Sequence, residues 1–141
     1  MALRGPVVVI DDDSNDADVI AAAIAELKIP NAIHHFHSAT EALDYLMVTE
    51  EKPLVILSDI RMPGMDGLAL LRHIQSTEFL RRKAIPFVFF TGIATRQIVN
   101  ESYELDVQGF FKKADNYIEL RDQIYSILSY WTRCLHPNAE V

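Results

Sequence analysis

Two apolar runs in this sequence end on acid. Val7-Val8-Val9-Ile10 leads into Asp11-Asp12-Asp13, and Leu54-Val55-Ile56-Leu57-Ser58 leads into Asp59. A carboxylate that closes a buried strand emerges at the rim of a sheet, half shielded from water, and two such strands can pool their acids at one edge. Carboxylates gathered at one point repel one another and tend to take up protons. A hard divalent cation removes that repulsion. Mg²⁺ suits such a cluster because it takes one or two carboxylates and completes its shell with carbonyls, waters and phosphate oxygens. It would set Asp59 beside the phosphate of a donor, where the carboxylate can act as nucleophile and become an acyl phosphate. A transfer of this kind needs positioning and charge neutralisation more than acid–base work. Two later runs end on Thr91-Gly92 and on Lys112-Lys113, offering a hydroxyl and an ammonium for the remaining phosphoryl oxygens.

The elements that must position these groups alternate along the chain. Short β-branched or aromatic runs predict strands at Pro6–Ile10, Ala32–Phe36, Leu54–Ser58, Phe87–Phe90 and Gln108–Phe111. Helical spacing of apolar residues predicts helices over Ser14–Leu27, with Ser14 or Asn15 as N-cap, and over Asp66–Ser76, Thr95–Glu104 and Asn116–Arg133. A capping box of Ser38 and Glu41 opens another helix that runs to about Val48. Five strands separated by helices imply an α/β fold, with a parallel sheet covered on both faces. At this length the expectation is a flavodoxin-like doubly wound sheet in the order 2-1-3-4-5. Its functional edge would lie at the carboxyl ends of the first and third strands, where the winding reverses. Both acidic strand ends belong there.

Composition narrows the function classes. A chain of 141 residues fits one domain with its own core. No apolar stretch approaches the roughly 20 residues needed to cross a bilayer. The first residues lack the apolar core of a signal peptide, so the cytoplasm is the expected compartment. A lone cysteine, Cys134, excludes an internal disulfide. The net charge of −7 argues against nucleic acid as a partner, since phosphate backbones call for a surplus of Lys and Arg. Arg81-Arg82-Lys83 is the one basic run and reads as a solvated linker.

From about Val7 to Arg133 the chain resembles the response-regulator receiver domains of two-component signalling. The pieces that carry the resemblance are Ile10-Asp11-Asp12-Asp13, Ser58-Asp59-Ile60-Arg61-Met62-Pro63-Gly64-Met65-Asp66-Gly67, Phe90-Thr91-Gly92 and Gly109-Phe110-Phe111-Lys112-Lys113. The resemblance implies that Asp59 is the phosphoacceptor and that Asp12 and Asp59 bind Mg²⁺ directly. It implies that Asp11 acts through metal-bound water and that the backbone carbonyl of Arg61 is a further ligand. Thr91 would swing toward the phosphoryl group, and Phe110 would repack inward as the relay. The family's lysine stands four residues after its glycine, which selects Lys113 over Lys112. Strand alternation lets only one of the two enter the site. The family usually has proline after this lysine, and here the residue is Ala114, so a cis bond is not expected.

On this reading the chain is a single receiver domain over 1–141, with a core of about 6–133 and a frayed tail at 137–141. It would take a phosphoryl group from a sensor histidine kinase or a phosphotransfer protein, and pass the signal to a downstream protein target or relay the group onward. Two other functions compete. A fold-only binding module should have lost part of the acidic cluster or the lysine, and this chain keeps both. A phosphohydrolase using an aspartyl phosphate places a second acid two residues after its nucleophile, and that position is Arg61. Other residues read more simply. Asp13 suits a helix dipole, and Asp66 and Gly67 a turn and cap. His34, His35 and His37 lack a set of partners for a metal site, and His73 reads as solvent-facing. The last helix carries Tyr117, Leu120, Ile124, Ile127 and Trp131 in one stripe, widened by Ile118, Tyr125 and Leu128. That surplus leaves two readings open: an all-core helix, or a docking or homodimer surface at Tyr125, Leu128 and Trp131.

Overall fold

The computed structural model describes residues 5–140. Five strands, β1 (Val7–Ile10), β2 (Ile33–Phe36), β3 (Val55–Ser58), β4 (Phe87–Thr91) and β5 (Gly109–Lys112), form one sheet in the order β2-β1-β3-β4-β5. All four pairings are parallel, with Ile10 opposite Ser58 and Thr91 opposite Lys112. This is the doubly wound order expected from the alternation of patterns. Six helices connect and cover it: α1 (Ser14–Glu26), α2 (Ala39–Val48), α3 (Gly67–Ser76), α4 (Glu78–Arg82), α5 (Arg96–Glu104) and α6 (Tyr117–Arg133). Among the described residues no helix is long and apolar enough to cross a membrane.

The two-residue period of the strands sorts their side chains into two cores. Val8, Ile10, Ile56, Phe87 and Phe89 face one way and pack with Leu46, Leu70 and Leu71. Val7, Val9, Val55, Leu57, Val88 and Phe90 face the other way, against Ile20 and Ile24 of α1 and Ile124, Ile127 and Leu128 of α6. Each of these fully buried aliphatic or aromatic side chains contributes about 1.5–3 kcal/mol of transfer free energy. The central strands β1, β3 and β4 are buried on both faces, while the edge strand β2 is only half-buried, which accounts for its weaker sequence signal.

Several local expectations are corrected. The N-cap of α1 is Asp13, not Ser14 or Asn15; its Oδ1 accepts from the N–H groups of Asn15 and Asp16 at 2.9 and 3.2 Å. The basic run is not a solvated linker. Arg81 and Arg82 close the short helix α4, and Lys83 Nζ donates to the carbonyls of Leu46 and Thr49 at 2.6 and 3.0 Å, capping the end of α2. The tail does not fray from residue 137. His136 is buried and donates from Nε2 to the Leu54 carbonyl at 2.8 Å, and the Asn138 side chain donates to the Lys83 carbonyl at 2.8 Å. Val141 lies outside the described residues.

The docking stripe also divides. Leu128 is 1 % exposed and belongs to the core, and Trp131 is half-buried against the core and His136. Leu128 therefore cannot face a partner, whereas Trp131 keeps part of its surface accessible. Of the three residues, only Tyr125 is exposed; elsewhere on α6, Ile118 and Tyr130 are exposed too.

Candidate functional site

Four of the five strands each hand one chemical group to the same edge. Asp11 follows β1 directly, and its N–H extends the ladder to the Phe36 carbonyl at 3.1 Å. Asp59 follows β3, with its N–H on the Ile10 carbonyl at 2.9 Å. Thr91 ends β4, and Lys113 follows β5 with its N–H on the Thr91 carbonyl at 2.8 Å. The sheet's hydrogen bonding therefore continues one residue past the strands and fixes the backbone beneath each group. Parallel strands all end at the same edge, so the convergence follows from topology and not from any local motif.

Asp11, Asp12 and Asp59 each offer a carboxylate oxygen within 4.8 Å of the others. Their settings differ. Asp11 is almost wholly buried, whereas Asp12 is exposed and open to solvent. Asp11 Oδ1 accepts from the Asp13 N–H at 2.9 Å, and Asp11 Oδ2 accepts from Lys113 Nζ at 2.8 Å. Asp59 Oδ1 accepts from the Ile60 N–H at 2.7 Å and from Thr91 Oγ1 at 2.6 Å. Asp59 Oδ2 stands 3.5 Å from Lys113 Nζ. Lys112 is exposed and makes no side-chain contact with these acids, while Lys113 buries all but a tenth of its side chain among them.

Burial dominates the acid–base character of Asp11. Desolvation lifts its carboxyl above the ordinary carboxylate range, against the opposing hydrogen bonds from Lys113 and the Asp13 N–H. Burial alone would lower Lys113. The hydrogen bond to Asp11 and the charges of Asp59 and Asp11 outweigh it and push the ammonium up to about 12. The lysine is therefore a fixed positive charge over a cluster whose negative charge is strained.

Thr91 is fully buried, and its hydroxyl points at Asp59. Phe110 is half-buried, its ring 5.9 Å from that of Phe89 in an edge-on contact. Arg61 is exposed, two residues beyond Asp59. Asp66 caps α3 by accepting from the Ala69 N–H at 2.8 Å. Gly67 has a stricter reason to be glycine. A Cβ there would overlap the Asp59 carbonyl oxygen and lie 2.9 Å from Ile60 Cα. The start of α3 thus presses directly on the backbone of Asp59.

Three residues near the site were given no part in it from the sequence. Asp16 Oδ2 accepts from Lys113 Nζ at 3.1 Å; one helical turn separates it from Asp12, a spacing that could have pointed to it. Ser58 Oγ donates to the Asp59 carbonyl at 2.8 Å. His35 Nε2 lies 2.9 Å from the Asp11 carbonyl oxygen, and its ring meets His37. The third histidine of that run, His34, pairs instead with Glu51 at 3.1 Å. His73 is exposed, and the Lys113–Ala114 bond is trans.

Comparison with known proteins gives a consistent result. A family model described as the response regulator receiver domain matches residues 7–125. The DNA-binding transcriptional regulator NtrC of Klebsiella pneumoniae is 37 % identical over 108 residues, which are 77 % of this chain but 21 % of that protein. The chain thus spans about a fifth of that regulator. Response regulator Rcp1 of Synechocystis is 25 % identical over 130 residues, covering 89 % of this chain and 87 % of Rcp1. The crystal structure of its Mn(2+)-bound form superposes with a TM-score of 0.83 at 24 % identity, covering 96 % of this chain and 99 % of that one. The phosphorylated cyanobacterial phytochrome response regulator RcpA gives a TM-score of 0.85 at 23 % identity, with the same coverage.

Proposed function

Because the chain belongs to the response regulator receiver domain family, we propose that it is a phosphorylation switch that accepts a phosphoryl group on Asp59. The observation that carries this reading is the bracketing of one carboxylate. Asp59 stands between the Thr91 hydroxyl at 2.6 Å and the Lys113 ammonium at 3.5 Å, beside two further acids. One Asp59 oxygen forms the bond to phosphorus as the bond from phosphorus to the donor's leaving atom breaks. The electron pair of that bond departs with the donor, and an acyl phosphate remains. Lys113 and Thr91 then hold phosphoryl oxygens, with no proton needing to move from Asp59 itself.

The hard oxygen donors of the cluster fit a divalent cation, and we assign that role to Mg²⁺, held by Asp11, Asp12, Asp59 and the Arg61 carbonyl. When bound, the ion neutralises the cluster and draws phosphate oxygens toward Asp59. The Mn(2+)-bound form of Rcp1 supports a divalent metal in a relative of this chain.

The phosphoryl donor on this reading is a sensor histidine kinase or a phosphotransfer protein, and the output is a contact with a downstream protein or onward transfer. The signal would pass through Thr91 and Phe110 to a shift of β5 and α5. Turnover on free phosphate esters is not expected, since Arg61 stands where a leaving-group acid would be needed. Contact with a second copy of the chain falls to the exposed face of α6 at Tyr125, and Tyr125→Asp with sedimentation analysis tests it.

The deciding experiment is an intact-mass measurement after incubation with acetyl phosphate and Mg²⁺. The parent chain gains one phosphoryl group, which alkali or hydroxylamine removes. Asp59→Asn gains none. Labelling of that variant at the parent's rate would move the acceptor elsewhere, and sustained ester turnover by the parent would make the chain a phosphohydrolase.

A further inference from the structure

Lys113 lies one residue beyond the last strand, in the loop that leads to α6. Its ammonium reaches Asp11, Asp16 and Asp59 at 2.8, 3.1 and 3.5 Å. The following residue, Ala114, keeps a backbone N–H that proline would lack, and this donor must find a partner. It donates to Gln123 Oε1 at 3.0 Å. The other end of the same carboxamide, Nε2, donates to the Lys112 carbonyl at 2.7 Å. One side chain therefore closes on both peptide groups that flank the Lys113 α-carbon.

We propose that Gln123 is a positioning residue for Lys113, clamping the loop between β5 and α6 so that the ammonium stays over the Asp11–Asp59 pair. The chemistry of the clamp is specific. A carboxamide offers a donor and an acceptor side by side, as no carboxylate, hydroxyl or thioether does. It also carries no charge, so it leaves the balance among Lys113, Asp11, Asp16 and Asp59 untouched. Glutamate would set an acceptor against the Lys112 carbonyl, and asparagine is one methylene too short.

Its footing is firm. Gln123 sits on α6 next to Ile124, which is fully buried, and three residues after Leu120, which packs in the same core. The clamp is thus anchored to the sheet through α6, while Lys113 N–H is held from the other side by the Thr91 carbonyl at 2.8 Å. Lys113 is pinned from both sides, by β4 and by α6. In place of a ring that restricts the backbone after the lysine, this chain uses a side chain from the next helix.

The inference rests on the reading of Asp59 as phosphoacceptor, and the test separates the two. Initial rates of Asp59 labelling by acetyl phosphate with Mg²⁺ are measured for the parent chain, Gln123→Met, Lys113→Ala and the double variant. Asp59 and its acidic neighbours remain in every one, so labelling stays measurable. Gln123→Met keeps the volume and removes both hydrogen bonds; it should slow labelling about tenfold, the scale of a sub-ångström displacement of a reacting group. In the Lys113→Ala background the same change should have no further effect. Hydrogen exchange at the Ala114 amide should accelerate in Gln123→Met. Gln123→Asn, which keeps the uncharged amide but falls one methylene short of the loop, should show the same dependence on Lys113 and replaces Gln123→Met in the cycle where that variant does not fold. Equal slowing with and without Lys113 overturns the inference by making Gln123 merely structural, as does an unchanged rate. A labelled parent with an unaffected Gln123 variant sinks this inference alone, while an unlabelled parent brings down the phosphoacceptor reading with it.

Discussion

The Lys113 ammonium lies closer to Asp11, at 2.8 Å from Oδ2, than to Asp59, at 3.5 Å. Its strongest partner is thus a neighbouring acid and not the carboxylate it would serve. Lys113 and a divalent cation compete for the same negative charge. Removing the ammonium should therefore strengthen metal binding. Lys113→Met should bind Mg²⁺ about three- to tenfold more tightly than the parent at low ionic strength, the scale of a screened repulsion of roughly 1 kcal/mol. Titration calorimetry at pH 8 measures this, and weaker binding by the variant would contradict it.

Asp11 predicts a pH dependence of stability. Its carboxyl is raised above its ordinary 3.8 by burial, so the folded state holds the proton more tightly than the unfolded state does. The stability it contributes is fully present below pH 3.8 and is lost as pH rises through the folded value. Above that value, deprotonation of Asp11 opposes folding. In chelator-treated buffer Asp11→Asn should melt at a higher temperature than the parent at pH 7, and the gain should shrink as the pH falls. Thermal denaturation at several pH values reads the difference directly; a gain that grows in acid would reverse the sign argued here.

Gly67 is expected to tolerate no side chain. In Gly67→Ala the new methyl would overlap the Asp59 carbonyl, so either α3 or the Asp59 backbone must shift. The cost should be about 1–3 kcal/mol, as for other overpacked positions. Because the shift falls on the backbone of Asp59, the proposed phosphoacceptor, labelling by acetyl phosphate should slow as well. Denaturant melts and labelling rates together check this, and parent-like values in both would show that the contact relaxes freely.

His136 tests the docking of the tail. Its ring is buried, with Nε2 donating to the Leu54 carbonyl and Nδ1 accepting from the Asn138 N–H at 3.0 Å. Leu54 is fully buried, so His136→Ala leaves its carbonyl without this partner. The expected loss is about 1–3 kcal/mol, or a fall in Tm of roughly 3–10 °C. An unchanged Tm would mean that the tail adds nothing to the fold.

Much of the architecture was legible in the sequence because its signals are local. A run such as Val7-Val8-Val9-Ile10 can be nothing but a strand buried on both faces, and a carboxylate after it must surface at the strand's end. The order of the strands was expected from the alternation of patterns and from the chain's length. The choice of Lys113 over Lys112 came from the family resemblance, alternation saying only that one of the two could enter the site. Local signals failed where an element's length or boundary depended on its surroundings. Ser14 and Asn15 are good caps, yet Asp13 took the role because the chain turns one residue earlier. Lys83 read as surface charge until two carbonyls of α2 lay within its reach.

What the sequence determined by itself is the set of groups and the edge at which they meet, since each is tied to the end of its own strand and parallel strands end together. Only the tertiary structure decided their pairings. The bonds from Lys113 to Asp16 and Asp11 span 97 and 102 residues. Leu128 turned inward and Tyr125 outward according to how α6 rolls on the sheet, which helical periodicity cannot say when apolar residues fill more than one face. The Gln123 bridge shows the same division. A glutamine in an amphipathic helix carries no signal of its own, and it acquires a role only when packing brings it against the loop that bears Lys113.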